Sequence, residues 1–182
     1  VLAFNTPVFD KEKQKNDFLA EYFAIKHYEN EIAEFYVVLQ KNTLTKAETI
    51  RINQLIASVR KASLSAKNLK DIKHNLDAIE NIIDAKIQDL QKQVYEQQLD
   101  FYKTIAKIVS TIDKITEADL EDINQLQKEF FVKQAQVFYR LISPQNEEMD
   151  AASNLNMLHE INKSNESLLK AIKNLIKKNE SL

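Results

Sequence analysis

The chain contains no glycine and no cysteine, and it has only two prolines, Pro7 and Pro144. Glycine is the default residue for tight turns and for loops that cradle phosphate groups, so its absence disfavours sheet-rich folds and glycine-loop nucleotide sites. The absence of cysteine excludes disulfides, thiolate metal sites, iron–sulfur clusters and cysteine nucleophiles. Most of the residues present are helix formers. The sequence therefore predicts an all-α fold.

Neither an excess of positive charge nor a long apolar run is present. Lys and Arg number 25 against 27 Asp and Glu, which gives a net charge of −2 and no reason to expect nucleic acid as a partner. The longest apolar run, residues 35–39, is far shorter than the roughly 20 residues that cross a bilayer, and no secretory signal opens the chain. We expect a soluble domain. Because the sequence opens on Val1, we also expect a trimmed part of a longer protein.

Apolar residues recur every three or four positions, which predicts an antiparallel bundle of about five long helices in a single domain at 11–182. Residues 1–10 predict a linker or a lead-in strand that docks through its aromatic side chains. A hairpin is predicted at 11–80 and three helices at 84–179. The first helix, at 11–41, carries a stripe of Phe18, Tyr22, Ile25, Ile32, Phe35 and Leu39. We expect such stripes to be buried, so that only polar flanks remain for partners.

Local signals mark several helix ends. Thr45 with Glu48 has the spacing of a capping box, and Thr116 with Asp119 predicts a second helix start. A break is expected near residues 80–84, where the side chain of Asn81 can compete for backbone hydrogen bonds. Two further ends are predicted, at Ser143-Pro144 and at Lys177-Lys178-Asn179.

The predicted helices contain a weak internal echo. Residues 34–36 and 65–69 have counterparts at 137–139 and 164–168, about a hundred residues later. Two related helical hairpins would explain this repetition, and so would the spacing that all amphipathic helices share.

Three segments, at residues 25–36, 65–76 and 154–168, resemble the PhoU-like cytoplasmic domain that follows the membrane part of bacterial sodium/phosphate cotransporters. Together they cover most of residues 20–176. The resemblance implies two repeats of a three-helix bundle, so that five helices would leave the first helix of the first repeat upstream or missing. It also implies a place on the cytoplasmic side of the bacterial inner membrane.

The resemblance also concerns metal binding. In the PhoU family an acidic pair spaced four apart in the third helix of each repeat binds metal clusters. At the matching positions this sequence has Lys70 and His74 in the first repeat, and Leu169 and Lys173 in the second. Neither pair supplies two carboxylates, so we expect that the metal role has been lost. We also expect no other cofactor and no catalytic residue.

Other polar residues are weaker candidates for sites. Asp71 and His74 have the i, i+3 spacing of carboxylate-bridged dimetal bundles, but no second copy of this motif exists, and a surface or capping role is favoured. An acidic cluster at Glu29, Glu31 and Glu34 is better interpreted as a solvated flank. The remaining histidines, His27 and His159, have no triad pattern around them.

Small and basic residues give two further predictions. The small residues predict a close helix crossing; they are Ala62, Ser63, Ser65 and Ala66. The basic residues of the last helix predict either a solvated face or contact with anionic lipid; they are Lys170, Lys173, Lys177 and Lys178.

These observations favour a regulatory or interaction module of a sodium-dependent phosphate transporter that is not an enzyme. Its expected partner is the membrane domain of the same polypeptide, or a transporter or signalling protein, with a homodimer as an open alternative. A free-standing PhoU-like adaptor in phosphate signalling is the second hypothesis. A ferritin-like metalloenzyme is the third, and the missing ligand set disfavours it.

Overall fold

A computed structural model describes residues 1–10, 17–80, 84–141 and 151–176. Within these residues it contains six α-helices and no strand, which confirms the predicted all-α bundle. The helices are α1 (Leu2–Val8), α2 (Phe18–Leu39), α3 (Lys46–Glu80), α4 (Ala85–Ser110), α5 (Glu117–Leu141) and α6 (Ala151–Ile176), with a 3-10 turn at Ile112–Lys114.

The long helix α3 is the centre of the bundle, with α6 antiparallel along one side and α2 along another. Near one end of the α3–α6 pair, Arg51 donates from Nη1 to the carbonyl oxygen of Leu175 at 3.1 Å. Near its middle, the hydroxyls of Ser65 and Ser164 lie 2.9 Å apart. Helix α5 packs on α6, and α4 contacts α1, α3 and α5.

Both predicted Thr–acid caps are confirmed. The carboxylate of Glu48 accepts from the main-chain N–H of Thr45 at 2.8 Å, and the Thr45 hydroxyl accepts from the N–H of Glu48 at 3.2 Å. Asp119 and Thr116 repeat the arrangement at the start of α5, with distances of 2.8 and 3.2 Å. Each cap satisfies N–H groups that the first turn of a helix leaves without an intrahelical partner.

Residues 1–10 differ from the prediction, because Leu2–Val8 form a short helix and not a linker or strand. The segment does dock by its aromatic residues, since Phe4 and Phe9 are buried in the core. This additional element makes six helices where about five were predicted. Pro7 lies in the last turn of α1. Because proline usually interrupts a helix, its presence in the sequence argued against a helix here.

The predicted start of the first long helix at residue 11 is wrong, since α2 begins at Phe18, where the side chain of Asp17 accepts the N–H of Ala20 and caps the first turn. The end of α2 at Leu39 agrees with the predicted end at 41 to within about two residues. The predicted break falls between Glu80 and Ala85. Asn81, Ser143-Pro144 and residues 177–179 lie outside the described residues.

One half of the internal echo, residues 65–69 with 164–168, has a structural counterpart, whereas the other half, 34–36 with 137–139, has an offset of 103 residues and does not share this register. Ser65 and Ser164, which meet at the α3–α6 crossing, are 99 residues apart. The same spacing takes Phe18, the first residue of α2, to Glu117, the first residue of α5. In this register α2 and α3 correspond to α5 and α6, so the two hairpins share one arrangement about the crossing.

Candidate interaction surface

Helix α2 exposes more large apolar side chains than any other described helix. Seven of them are exposed: Leu19, Phe23, Tyr28, Ile32, Phe35, Val37 and Val38. No residue of α2 is fully buried. An exposed apolar patch on the order of several hundred Å² is the size that commonly marks an interaction site.

The neighbours of α2 explain this exposure. At its start, Phe18 stacks on Phe4 of α1 with ring centroids 4.6 Å apart, and Tyr22 lies 6.2 Å from Phe4. Towards its end, the Tyr36 hydroxyl donates to Asn53 of α3 at 2.7 Å. The second half of α2 therefore rests on α3 along one side, with its other sides uncovered among the described residues.

The predicted burial of the apolar residues of the first long helix is correct only for the first half of α2. Phe18, Tyr22 and Ile25 pack against the core, whereas Ile32 and Phe35 are exposed. The expectation that only polar flanks would face partners is therefore wrong for this helix. The signal was present in the sequence as apolar residues on several sides of α2, a pattern typical of a helix that is covered all round.

The acidic residues of α2 form separate pairs and no joint site. Glu29 pairs with Lys26, and Glu31 lies 3.4 Å from Nε2 of His27. Glu34 is exposed. Together Glu31 and Glu34 give the uncovered half of α2 an acidic flank.

The four positions that the PhoU resemblance singled out for metal binding have different surroundings. Lys70 lies over the Tyr22 ring at 5.7 Å and His74 is exposed, whereas Leu169 is buried in the core. Lys173 pairs with Glu117 of α5 at 2.6 Å, and this pairing raises the pKa of the lysine. Lys70, Leu169 and Lys173 thus serve packing and ion pairing.

In the other candidate metal motif, Asp71 and His74, the aspartate is engaged in ion pairs. Asp71 pairs with Lys67 and with Lys70, the latter at 3.1 Å, and these lysines lower its pKa against the opposing effect of burial. His159 is exposed on α6. No group of three or more metal-binding side chains occurs within residues 1–10, 17–80, 84–141 and 151–176.

The basic residues of α6 are engaged as far as they are described. Lys170 pairs with Glu166 at 3.3 Å, and Lys173 with Glu117 as above. Lys177 and Lys178 lie outside the described residues. In the part of the chain that the structure covers, no helix combines the length and apolarity needed to span a bilayer.

The small residues of α3 do form a close crossing, and it contains a buried polar cluster. Asn5 of α1 donates from Nδ2 to the Ser65 hydroxyl at 3.0 Å, and Ser164 of α6 donates to the Ser65 carbonyl at 2.9 Å. The hydroxyl of Tyr102 on α4 lies beside Ser164 and Asn5, and its burial raises its pKa. This cluster therefore brings residues of four helices together at the crossing.

Comparison with known proteins gives no match, since no family model, curated protein or solved structure is similar to this chain.

Proposed function

We propose that this chain is a regulatory interaction module that acts by helix packing and partner contact, through the apolar surface of α2. The observation that carries the proposal is the exposure of Tyr28, Ile32 and Phe35, which we name the α2 stripe, on the described helix that exposes the most large apolar side chains. Side chains of this type in water are unfavourable unless a partner covers them.

The setting we propose is the cytoplasmic side of a bacterial inner membrane, in a sodium-dependent phosphate transporter. The support for this setting is the sequence resemblance at residues 25–36, 65–76 and 154–168. The first of these segments contains all three residues of the α2 stripe. The partner would then be the membrane domain of the same polypeptide, or a transporter or signalling protein.

The proposal is tested by changing the α2 stripe in the bacterium that encodes the chain. A Tyr28→Ser, Phe35→Ser variant should fold normally, because substitution of exposed residues shifts stability by only about 0.5 kcal/mol. We expect it to alter sodium-dependent uptake of radiolabelled phosphate. Leu126→Ser, Val132→Ser on α5 is the matched control, since both residues are similarly exposed.

Each outcome of this experiment has a distinct meaning. Uptake that changes in the α2 variant and not in the α5 control supports the transporter module. Unchanged uptake with altered expression of phosphate-responsive genes would favour the free-standing adaptor. If neither readout separates the α2 variant from the α5 control, the proposed function is wrong.

A further inference from the structure

The two helical hairpins, α2–α3 and α5–α6, differ in the exposure of three corresponding residues of α2 and α5. In α5 the side chains of Gln127, Phe131 and Gln134 are 5%, 5% and 3% exposed. The 99-residue spacing of the two hairpins takes these residues to Tyr28, Ile32 and Phe35, the α2 stripe. The exposed fractions of the α2 stripe are 63%, 40% and 62%.

Helix α4 contacts Gln134, whereas Gln127 lies against α6 and accepts from Nδ2 of Asn165 at 3.1 Å. Gln134 of α5 donates from Nε2 to Oε1 of Gln93 on α4 at 3.4 Å, so the N-terminal half of α4 lies against the end of α5. Helix α4 has 26 residues, of which ten are buried. It is long enough to pack along much of the second hairpin.

In the first hairpin the helix that reaches the crossing is α1, and in the second it is α4. Asn5 of α1 lies against Ser65, as Tyr102 of α4 lies beside Ser164, and Ser65 and Ser164 are the corresponding residues of the crossing. Helix α1 has only seven residues, and its ring contacts reach Phe18 and Tyr22. The surface equivalent to the contact between α4 and α5 is therefore uncovered in the described chain.

We propose that the α2 stripe binds one amphipathic helix of a partner protein, lying antiparallel to α2 as α4 lies on α5. This inference names the partner class for the proposed interaction module and rests on that function. Phe35 has the position of Gln134, so the bound helix carries an apolar residue where α4 has Gln93. The flank of Glu31 and Glu34 favours lysine or arginine along one edge of that helix.

Charge argues for a partner helix over a second copy of this chain. An antiparallel pairing of the α2 stripe with itself has its centre between Glu31 and Ile32, the midpoint of Tyr28 and Phe35. The Glu31 carboxylates of the two copies would then lie side by side. Like charges side by side along the edge of an interface oppose its formation.

The probe for this proposal is a fluorescein-labelled peptide with the sequence of residues 85–100 and the changes Gln93→Leu and Glu96→Lys, because residue 96 of the peptide would lie beside Glu31. Binding to the full 182-residue chain is followed by fluorescence anisotropy. A short peptide must also order on binding, so we expect a dissociation constant on the order of 10 μM. The peptide without the Gln93→Leu change should bind more weakly, because its glutamine amide would face Phe35.

Variants of the chain locate the binding site. Phe35→Ser should weaken binding roughly tenfold, as expected for an aromatic anchor, while Leu126→Ser on α5 should leave it unchanged. Sedimentation of the chain alone measures self-association. A dimer that Phe35→Ser disrupts would overturn the proposal in favour of a second copy. It is equally overturned if the peptide fails to bind or binds Phe35→Ser as well as the parent chain.

These failures are distinguishable from failure of the proposed function. Loss of peptide binding contradicts a helical partner, and an effect of the α2 variant on phosphate uptake would still support an interaction module. Peptide binding without any effect on uptake or gene expression would support the helical groove and contradict its proposed role.

Discussion

Ser65 and Ser164 illustrate how small polar residues allow α3 and α6 to approach closely. Their hydroxyls are 2.9 Å apart, and both residues are buried. Larger side chains would separate the two helices, and nonpolar ones would leave the amide of Asn5 without its Ser65 acceptor. A buried polar group that loses its partner costs about 1–3 kcal/mol of stability.

Gln98, in contrast, is a buried polar residue that lowers the stability of the fold. It is fully buried in α4, and neither atom of its amide has a hydrogen-bond partner among the described residues. Gln98→Leu keeps a similar volume and removes the desolvation cost, so it should raise the free energy of unfolding by roughly 1–2 kcal/mol. Urea denaturation followed by circular dichroism measures this change.

The control for Gln98→Leu is Gln136→Leu, the same substitution at an exposed position of α5. It should change the free energy of unfolding by no more than about 0.5 kcal/mol. A clear loss of stability in Gln98→Leu, with none in the control, would contradict the account of the buried amide.

At the scale of single elements, the helix starts were predictable because each depends on a few neighbouring residues. Thr116 and Asp119 satisfy each other's main-chain N–H groups, and no distant contact is needed. The short helix α1 was not predictable, since its stability comes from burial of Phe4 and Phe9 against distant helices. Its sequence shows no helical period, and it contains Pro7.

The cap of α5 predicts a dependence on pH. Hydrogen bonds from the Thr116 hydroxyl and main-chain N–H lower the pKa of the Asp119 carboxyl below its ordinary 3.8. Since the folded pKa is the lower one, the cap stabilises the fold above the ordinary value. This contribution is lost as the pH falls through the folded pKa.

Carbon-13 NMR titration of the chain measures this pKa directly. Thr116→Ala removes the hydroxyl, which is the larger cause, and should move the pKa of Asp119 back towards its ordinary value. The pKa of Glu48, which Thr45 lowers in the same way, should remain as it is in the parent chain. An unchanged Asp119 pKa in Thr116→Ala would show that the hydroxyl does not stabilise the carboxylate.

At the scale of the whole molecule, the sequence predicted the bundle and missed the asymmetry between its halves. The helical period shows which residues form a stripe, and both α2 and α5 have one. Whether a stripe is buried depends on the neighbouring helix, and α1 is much shorter than α4. For that reason the exposure of Tyr28, Ile32 and Phe35 became evident only in the folded arrangement.

For the candidate sites, too, the sequence indicated which residue types are present and not which helices meet. The absence of an acidic pair could be inferred from the sequence, because residues 70 and 74 are lysine and histidine. The pairing of Lys173 with Glu117 joins two different helices, and spacing within one helix cannot indicate it. The interaction surface was missed because apolar residues at helical spacing were assigned to the core.

The central claim is that the α2 stripe is a docking surface for a helix. Its most direct test is a nitrogen-15 NMR titration of the full chain with the peptide of residues 85–100 that carries Gln93→Leu and Glu96→Lys. The account predicts that amide shifts concentrate within residues 25–38 of α2 and spare the corresponding residues of α5. Shifts centred on α5, or no shifts at saturating peptide, would contradict it.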